Sequence, residues 1–362
     1  MRRIWLLSCL LLVAPAFAAA QDPAPTEQTQ PQATPGIVDH ETVVVSGVLP
    51  GPGLWKVRKG EHTLYVLATL SPLPKRMQWE SAGVESLVAR SQQVLLPPSF
   101  TLDSDIGVFR GMMLLPSLLK ARRNPDGKAL EQAVSPELYA RWQPLKQRYL
   151  GNDRGVEQWR PIFAAQELYE AAMRKSGLEQ DDIVGKAVRR MARRHDVPQK
   201  AVNLRMQIED PKAALREFRE TTLADTDCFG KTLSRIEHDL ETMRQRANAW
   251  AVGDVEALRA LPVETQYSAC IRAVTETGLA QRLGMGDLRP RVMDLWLAAA
   301  EEALDEHASA VAMLPIGLIL ASDGYLARLE AKGYLVEVPA VAPVISPVEA
   351  GPEVDADSRS ER

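Results

Sequence analysis

Leu54–Leu70, LWKVRKGEHTLYVLATL, decides the fold class. Leu54-Trp55-Lys56-Val57-Arg58 alternates apolar with basic residues, and Lys59-Gly60-Glu61 carries turn chemistry. His62 to Leu70 is then largely apolar and rich in β-branched and aromatic side chains. Alternation marks a strand with one wet face, and an apolar run between turn signals marks a buried strand. The stretch therefore predicts a hairpin whose second strand is buried.

Further along, Val94-Leu95-Leu96, ended by Pro97-Pro98, reads as a short strand. Ala201–Ile208 (AVNLRMQI) after Pro198 and Ala310–Leu320 (AVAMLPIGLIL) read as two more, the second of them buried. Leu335–Val338 is a closing strand. From about Ser135 the chain between these runs is mostly helical. In Lys231–Trp250 the residues Leu233, Ile236, Leu240, Met243, Ala247 and Trp250 fall at alternating steps of three and four, one face of an amphipathic helix. Val292, Leu295, Trp296, Ala299 and Ala303 repeat the pattern. Strands at both ends with helices between them predict an α/β layer fold. It has an N-terminal hairpin, a mixed central sheet closed by C-terminal strands, and a large helical middle region.

The ends of the chain read differently. Residues 1–20 have the form of a signal peptide: Arg2 and Arg3, an apolar stretch from Ile4 to Val13, and small residues at Ala16-Phe17-Ala18 or Ala18-Ala19-Ala20. That stretch falls short of the roughly 20 residues a transmembrane helix needs. No later stretch reaches that length without charges. The expected compartment is periplasmic or extracellular, reached through a cleaved signal. Residues 21–37 are a Pro/Gln/Thr linker and 339–362 a Pro/Ala tail with a polar end, both expected to be disordered. The folded part is then 38–338. A formal net charge of −4 and a pI near 5.9 argue against nucleic acid as a partner.

Export would discard Cys9 and leave Cys228 and Cys270 as the remaining thiols. They either form one disulfide, as an oxidising compartment favours, or are separately buried. The five histidines are scattered. His40 precedes a Val-rich segment, His62 follows the hairpin turn, and His195 and His307 end helices, where the dipole favours imidazole. His238 lies on a polar helix face near Glu241. There is no His-Glu-x-x-His, no Cys/His cluster and no Gly-x-Ser-x-Gly elbow. Gly284-Met285-Gly286 lacks the third glycine of a nucleotide loop. Lys186–His195 (KAVRRMARRH) is the densest basic run. It is either a solvated helix face or a contact for anions and acidic lipid.

Taken in order, several segments resemble the TraB/GumN family, which includes the Tiki-type proteases. They are Gly53-Leu54-Trp55-Lys56-Val57, Leu64–Thr69, Ala249-Trp250-Ala251-Val252-Gly253-Asp254, Asp323–Leu329 and Lys332-Gly333-Tyr334-Leu335-Val336. The resemblance implies a metal-dependent hydrolase site built from two Gly-x-x-His motifs and an intervening Glu. Here the first motif falls on Ala68-Thr69-Leu70-Ser71, and the carboxylate falls near Pro97. The second motif falls on Pro315-Ile316-Gly317-Leu318 and a central Leu-Glu pair on Leu204-Arg205. Divalent cations need several lone-pair donors at about 2.0–2.2 Å. Ser71 offers one neutral oxygen, Pro97, Gly317 and Leu318 offer no side-chain donor, and Arg205 is a cation. No cofactor or metal is therefore expected.

The expected function is that of a cell-envelope binding or scaffolding protein, catalytically inactive at the family's site. Its partner would be an envelope protein or a small amphipathic ligand drawn to a more apolar pocket near Ser71 and Arg205. The alternative is a peptide or ester hydrolase with relocated chemistry, Ser71 being the obvious nucleophile.

Overall fold

The computed structural model describes residues 51–75, 77–104, 108–261 and 266–339. The expected signal peptide, linker and C-terminal tail, with Cys9 and His40, lie outside the described residues apart from Pro339.

The hairpin forms as its sequence dictates. β1 (Leu54–Lys59) pairs antiparallel with β2 (His62–Thr69) around Gly60, whose φ of 57° is left-handed. After β3 (Leu73–Pro74) come α1 (Ala82–Arg90), β4 (Gln93–Leu95) and β5 (Ser99–Asp103). The helical stretch opens with α2 (Val108–Ala121), α3 (Leu130–Ala133), α4 (Pro136–Tyr149) and α5 (Pro161–Lys175). It continues through β6 (Leu178–Glu179), α6 (Ile183–Arg194), β7 (Gln199–Lys200), β8 (Asn203–Gln207) and α7 (Pro211–Glu220). Then follow α8 (Thr226–His238), α9 (Leu240–Ala251), α10 (Val255–Ala260), α11 (Gln266–Thr275) and α12 (Gly278–Arg282). The chain returns to the sheet through α13 (Leu288–Glu306), β9 (Ser309–Pro315), α14 (Ile316–Leu320), α15 (Tyr325–Ala331) and β10 (Leu335–Glu337).

The main sheet has the order β10-β1-β2-β9-β4-β7. Its β10-β1-β2 side is antiparallel, and β2, β9, β4 and β7 run parallel. Strand β9 enters after β1, β2, β4 and β7 and lies between β2 and β4. Ala310 to Leu314 are all fully buried, so both faces of β9 are covered, and a continuous apolar run is what such a strand requires. The helix α13 packs on β2 and β9, and α1 packs on β9 and α6.

Four local expectations change. The Ala310–Leu320 run is strand only to Pro315 and then turns into α14. The Ala201–Ile208 run does hold a strand, β8, but outside the main sheet: β7 ends just before it at Lys200, and β8 pairs with β5 in a separate two-stranded sheet. The single helix over Lys231–Trp250 breaks at Asp239 into α8 and α9. Leu233, Ile236 and Met243 join a core made by α4, α5 and α8, while Ala247 and Trp250 join the sheet core. A bend lets one apolar face serve two cores. Helices also begin earlier than Ser135, with α1 and α2.

The family-like segments have mechanical roles. Trp250 donates its indole N–H to the Ala68 carbonyl at 3.2 Å, tying α9 to the end of β2. Gly253, with φ 71°, ends that helix, and Asp254 caps α10 by accepting the Ala257 amide. A Cβ on Gly324 would lie 2.5 Å from the Leu318 carbonyl oxygen, so only glycine fits. Beside it Tyr325 packs edge-on against Trp296 at 5.2 Å, and burial pushes its phenol well above the usual range.

Candidate functional site

The parallel strands β2, β9, β4 and β7 all end on one edge of the sheet, where an open α/β sheet leaves a crevice for ligands. A cavity of about 1220 Å³ opens there. Thr69 to Ser71, Leu96, Pro97, Val202 and Pro315 to Gly317 form its floor. Its far wall is helical: Leu115 and Leu118 of α2, Phe163 and Tyr169 of α5, Leu215 and Phe218 of α7, and Ile271 and Val274 of α11.

Ser71, Pro97 and Gly317 are thus brought together at the cavity. The other two positions are not. Leu318 faces the sheet core, 4% exposed. Arg205 is exposed on β8, and the neighbouring Leu204 and Met206 pack beneath it. The expectation that Arg205 faces the pocket is therefore corrected: side chains alternate along a strand, and the pairing of β8 with β5 directs Arg205 outward. The donor set does not fit a divalent ion. One serine hydroxyl remains beside proline and glycine. Among the described residues no group of three or more His, Cys, Asp or Glu side chains is placed to hold a metal.

The histidines lie elsewhere. His62 opens β2 and donates through Nδ1 to the Leu304 carbonyl oxygen at 2.7 Å. That is the opposite end of the strand from Ser71, and His62 to Thr69 alone spans roughly 23 Å at the rise of a β-strand. His307 precedes β9 at the same far edge, and its Nε2 is buried without a described partner. His195 caps α6 and meets Glu85 at 3.1 Å; together with Arg194 it holds the Glu85 carboxyl below its usual range. His238 ends α8, with Glu237, not Glu241, as its nearest carboxylate at 3.7 Å. Most of the basic run is paired within the fold. Lys186 meets Asp181, Arg189 meets Asp182, and Arg194 and His195 meet Glu85.

Cys228 of α8 and Cys270 of α11 form a disulfide across 42 residues. It lies in the cavity wall beside Ile162 and packs behind on Ala269 and Ala273.

The polar groups that sequence inspection misses sit where α2, α5 and α7 meet. Arg160 is 1% exposed. Its Nε donates to the Arg123 carbonyl, Nη1 to that of Thr221, and Nη2 to those of Phe218 and Arg219, at 2.7–3.0 Å. It thereby satisfies the carbonyls that α7 leaves open at its C-terminus. Asp225 is buried nearby and accepts the Ile162 amide at 2.9 Å; burial raises its carboxyl above the usual range. Next to them, Arg122 is half-buried at the cavity wall, its guanidinium 5.0 Å from the centre of the Trp159 ring. No described carboxylate lies within ion-pair distance of it. The signal was faint: doubled Arg122-Arg123, and Trp159-Arg160 just before a helix-starting proline.

The fold and cavity define an α/β protein with a cavity at the strand ends, closed over by helices. A family model matches residues 53–338, and the chain belongs to the TraB/PrgY/gumN family. No curated protein and no solved structure matches it.

Proposed function

We propose that this protein is an exported member of the family that binds an amphipathic ligand in the cell envelope and is catalytically inactive at the strand-end site. The observation that carries this is the cavity itself. It stands where strand ends place reactive groups in α/β folds, yet at those ends Ser71, Pro97, Pro315 and Gly317 offer little that could ligate a metal or move a proton. The carboxylates elsewhere in the lining, Glu167, Glu170 and Asp182, face Arg174 and Arg189. No histidine is among its described lining residues, so among those residues Ser71 has no imidazole partner to act as base. Leucine, phenylalanine and isoleucine side chains dominate the helical wall, a surface that gains from burying alkyl groups. The disulfide supports an oxidising compartment, and no described helix is long and apolar enough to cross a membrane.

The test is direct. Untagged protein is purified from the cell envelope, its metal content measured, and its hydrolysis of peptide and ester panels followed with and without added zinc, manganese or cobalt. Sub-stoichiometric metal, no hydrolysis, and saturable binding of an apolar fluorophore are expected. Stoichiometric metal or metal-dependent hydrolysis would overturn inactivity. Hydrolysis abolished by Ser71→Ala would establish the relocated hydrolase instead. N-terminal sequencing of the same material is expected to start at residue 19 or 21.

A further inference from the structure

We propose that the cavity accepts a single-chain anionic amphiphile, with its head group on Arg122 and its chain along Leu118, Phe163, Leu215 and Phe218. This rests on the ligand-binding function proposed above and names the ligand class.

The cavity's charges are not equivalent: Arg235 lies over the Tyr169 ring, and Arg235 and Arg246 both have partners. Arg189 is neutralised by Asp182 at 2.8 Å, and Arg259 has Glu256 at 3.3 Å. Glu170 takes a hydrogen bond from Gln166 and lies 3.7 Å from Arg174; Glu167 lies 3.7 Å from the same arginine. Arg122 has the Trp159 ring and no described carboxylate within ion-pair distance. A guanidinium at an apolar wall without a counter-ion is a site that an anion improves.

The site is also held in place from behind. The Arg160 amide donates to the Arg122 carbonyl at 2.7 Å, its guanidinium donates to the Arg123 carbonyl, and Arg123 bridges to Trp159. The backbones that carry Arg122 and Trp159 are therefore tied together. The indole lies under the Arg122 guanidinium without taking a hydrogen bond from it, so N–H donors are left for a carboxylate or phosphate. Arg160 adds a second positive charge and places its guanidinium 4.9 Å from the centre of the Phe218 ring, at the start of the apolar wall. Head-group recognition and chain burial thus meet at one corner, which is the pattern of an amphiphile.

The experiment is calorimetric titration of the delipidated full chain with dodecanoate and with dodecan-1-ol, both below their aggregation limits. A charge-assisted hydrogen bond corresponds to a preference for the carboxylate of at least about tenfold. Shortening the chain is expected to weaken binding about fourfold per methylene. Arg122→Gln should bring the two affinities together by weakening dodecanoate at least about tenfold relative to dodecan-1-ol, and Arg122→Lys should keep part of the preference. Equal affinities in the parent protein, or a tenfold preference surviving in Arg122→Gln, would overturn the head-group assignment and leave ligand binding standing. If neither compound binds, both proposals fall.

Discussion

In the six-stranded sheet, Ala310 to Leu314 are fully buried and all apolar, whereas the helical middle buries Arg160, Asp225, Thr232, Arg235 and Arg244. Ser91 is the only other polar residue buried among those described. The sheet satisfies its backbone by pairing strands, so its side chains need only exclude water. The helices end in open carbonyls and amides, and side chains must reach in to satisfy them. Arg160 and Asp225 do so, and the disulfide adds a covalent tie between α8 and α11. Sensitivity to buried charge and to reduction therefore belongs to the helical side, and sensitivity to any buried polar atom belongs to the sheet.

The strongest way to break this contrast is Arg160→Met. It leaves the carbonyls of Arg123, Phe218, Arg219 and Thr221 without their donor and should cost about 3–5 kcal/mol in urea unfolding. A loss under about 1 kcal/mol would mean that water replaces the guanidinium. Next is the paired change Cys228→Ala with Cys270→Ala, expected to lower stability by roughly 3–4 kcal/mol through the freed unfolded chain. Equal melting of the parent with and without reductant would contradict it. In the sheet, Val66→Thr keeps the shape and adds a hydroxyl at a fully buried position. A loss of roughly 2 kcal/mol is expected, and no loss would show that the sheet tolerates polar atoms after all.

The smallest effect is one of pH. Hydrogen bonds from His195 and Arg194 lower the folded pKa of Glu85. Their contribution is complete above the ordinary carboxylate range and is lost as pH falls through the depressed folded value. Glu85→Gln should therefore flatten the acid side of the stability profile slightly, an effect that added salt diminishes because the group is exposed. An unchanged profile would show that the contact contributes nothing.

The sheet was legible because its residues obey local rules. Leu54–Leu70 alternates and then runs apolar, and β1 and β2 follow. The segment Ala310–Leu320 was read too long, since apolar content alone does not separate a buried strand from the short buried helix that follows Pro315. The candidate site was legible in part. The strand-end residues Ser71, Pro97 and Gly317 were named from family-like motifs, but Arg205 was expected at the pocket and points away from it. Arg122 and Trp159 were invisible, because 37 residues separate them and no local pattern joins them.

The sequence by itself determined the α/β class, the buried hairpin strand and the family, and it named the two cysteines whose pairing the structure then settled. These depend on periodicity, order and residue type, which a linear chain displays. Only the tertiary structure decided that α8 and α9 bend to serve two cores, that one cavity joins the strand ends to α2, α5 and α7, and that Arg160 is spent on backbone carbonyls while Arg122 is left facing that cavity. Those outcomes depend on which distant groups meet and which charges find partners. Charge compensation is a property of neighbours in space, and the order of residues does not record it.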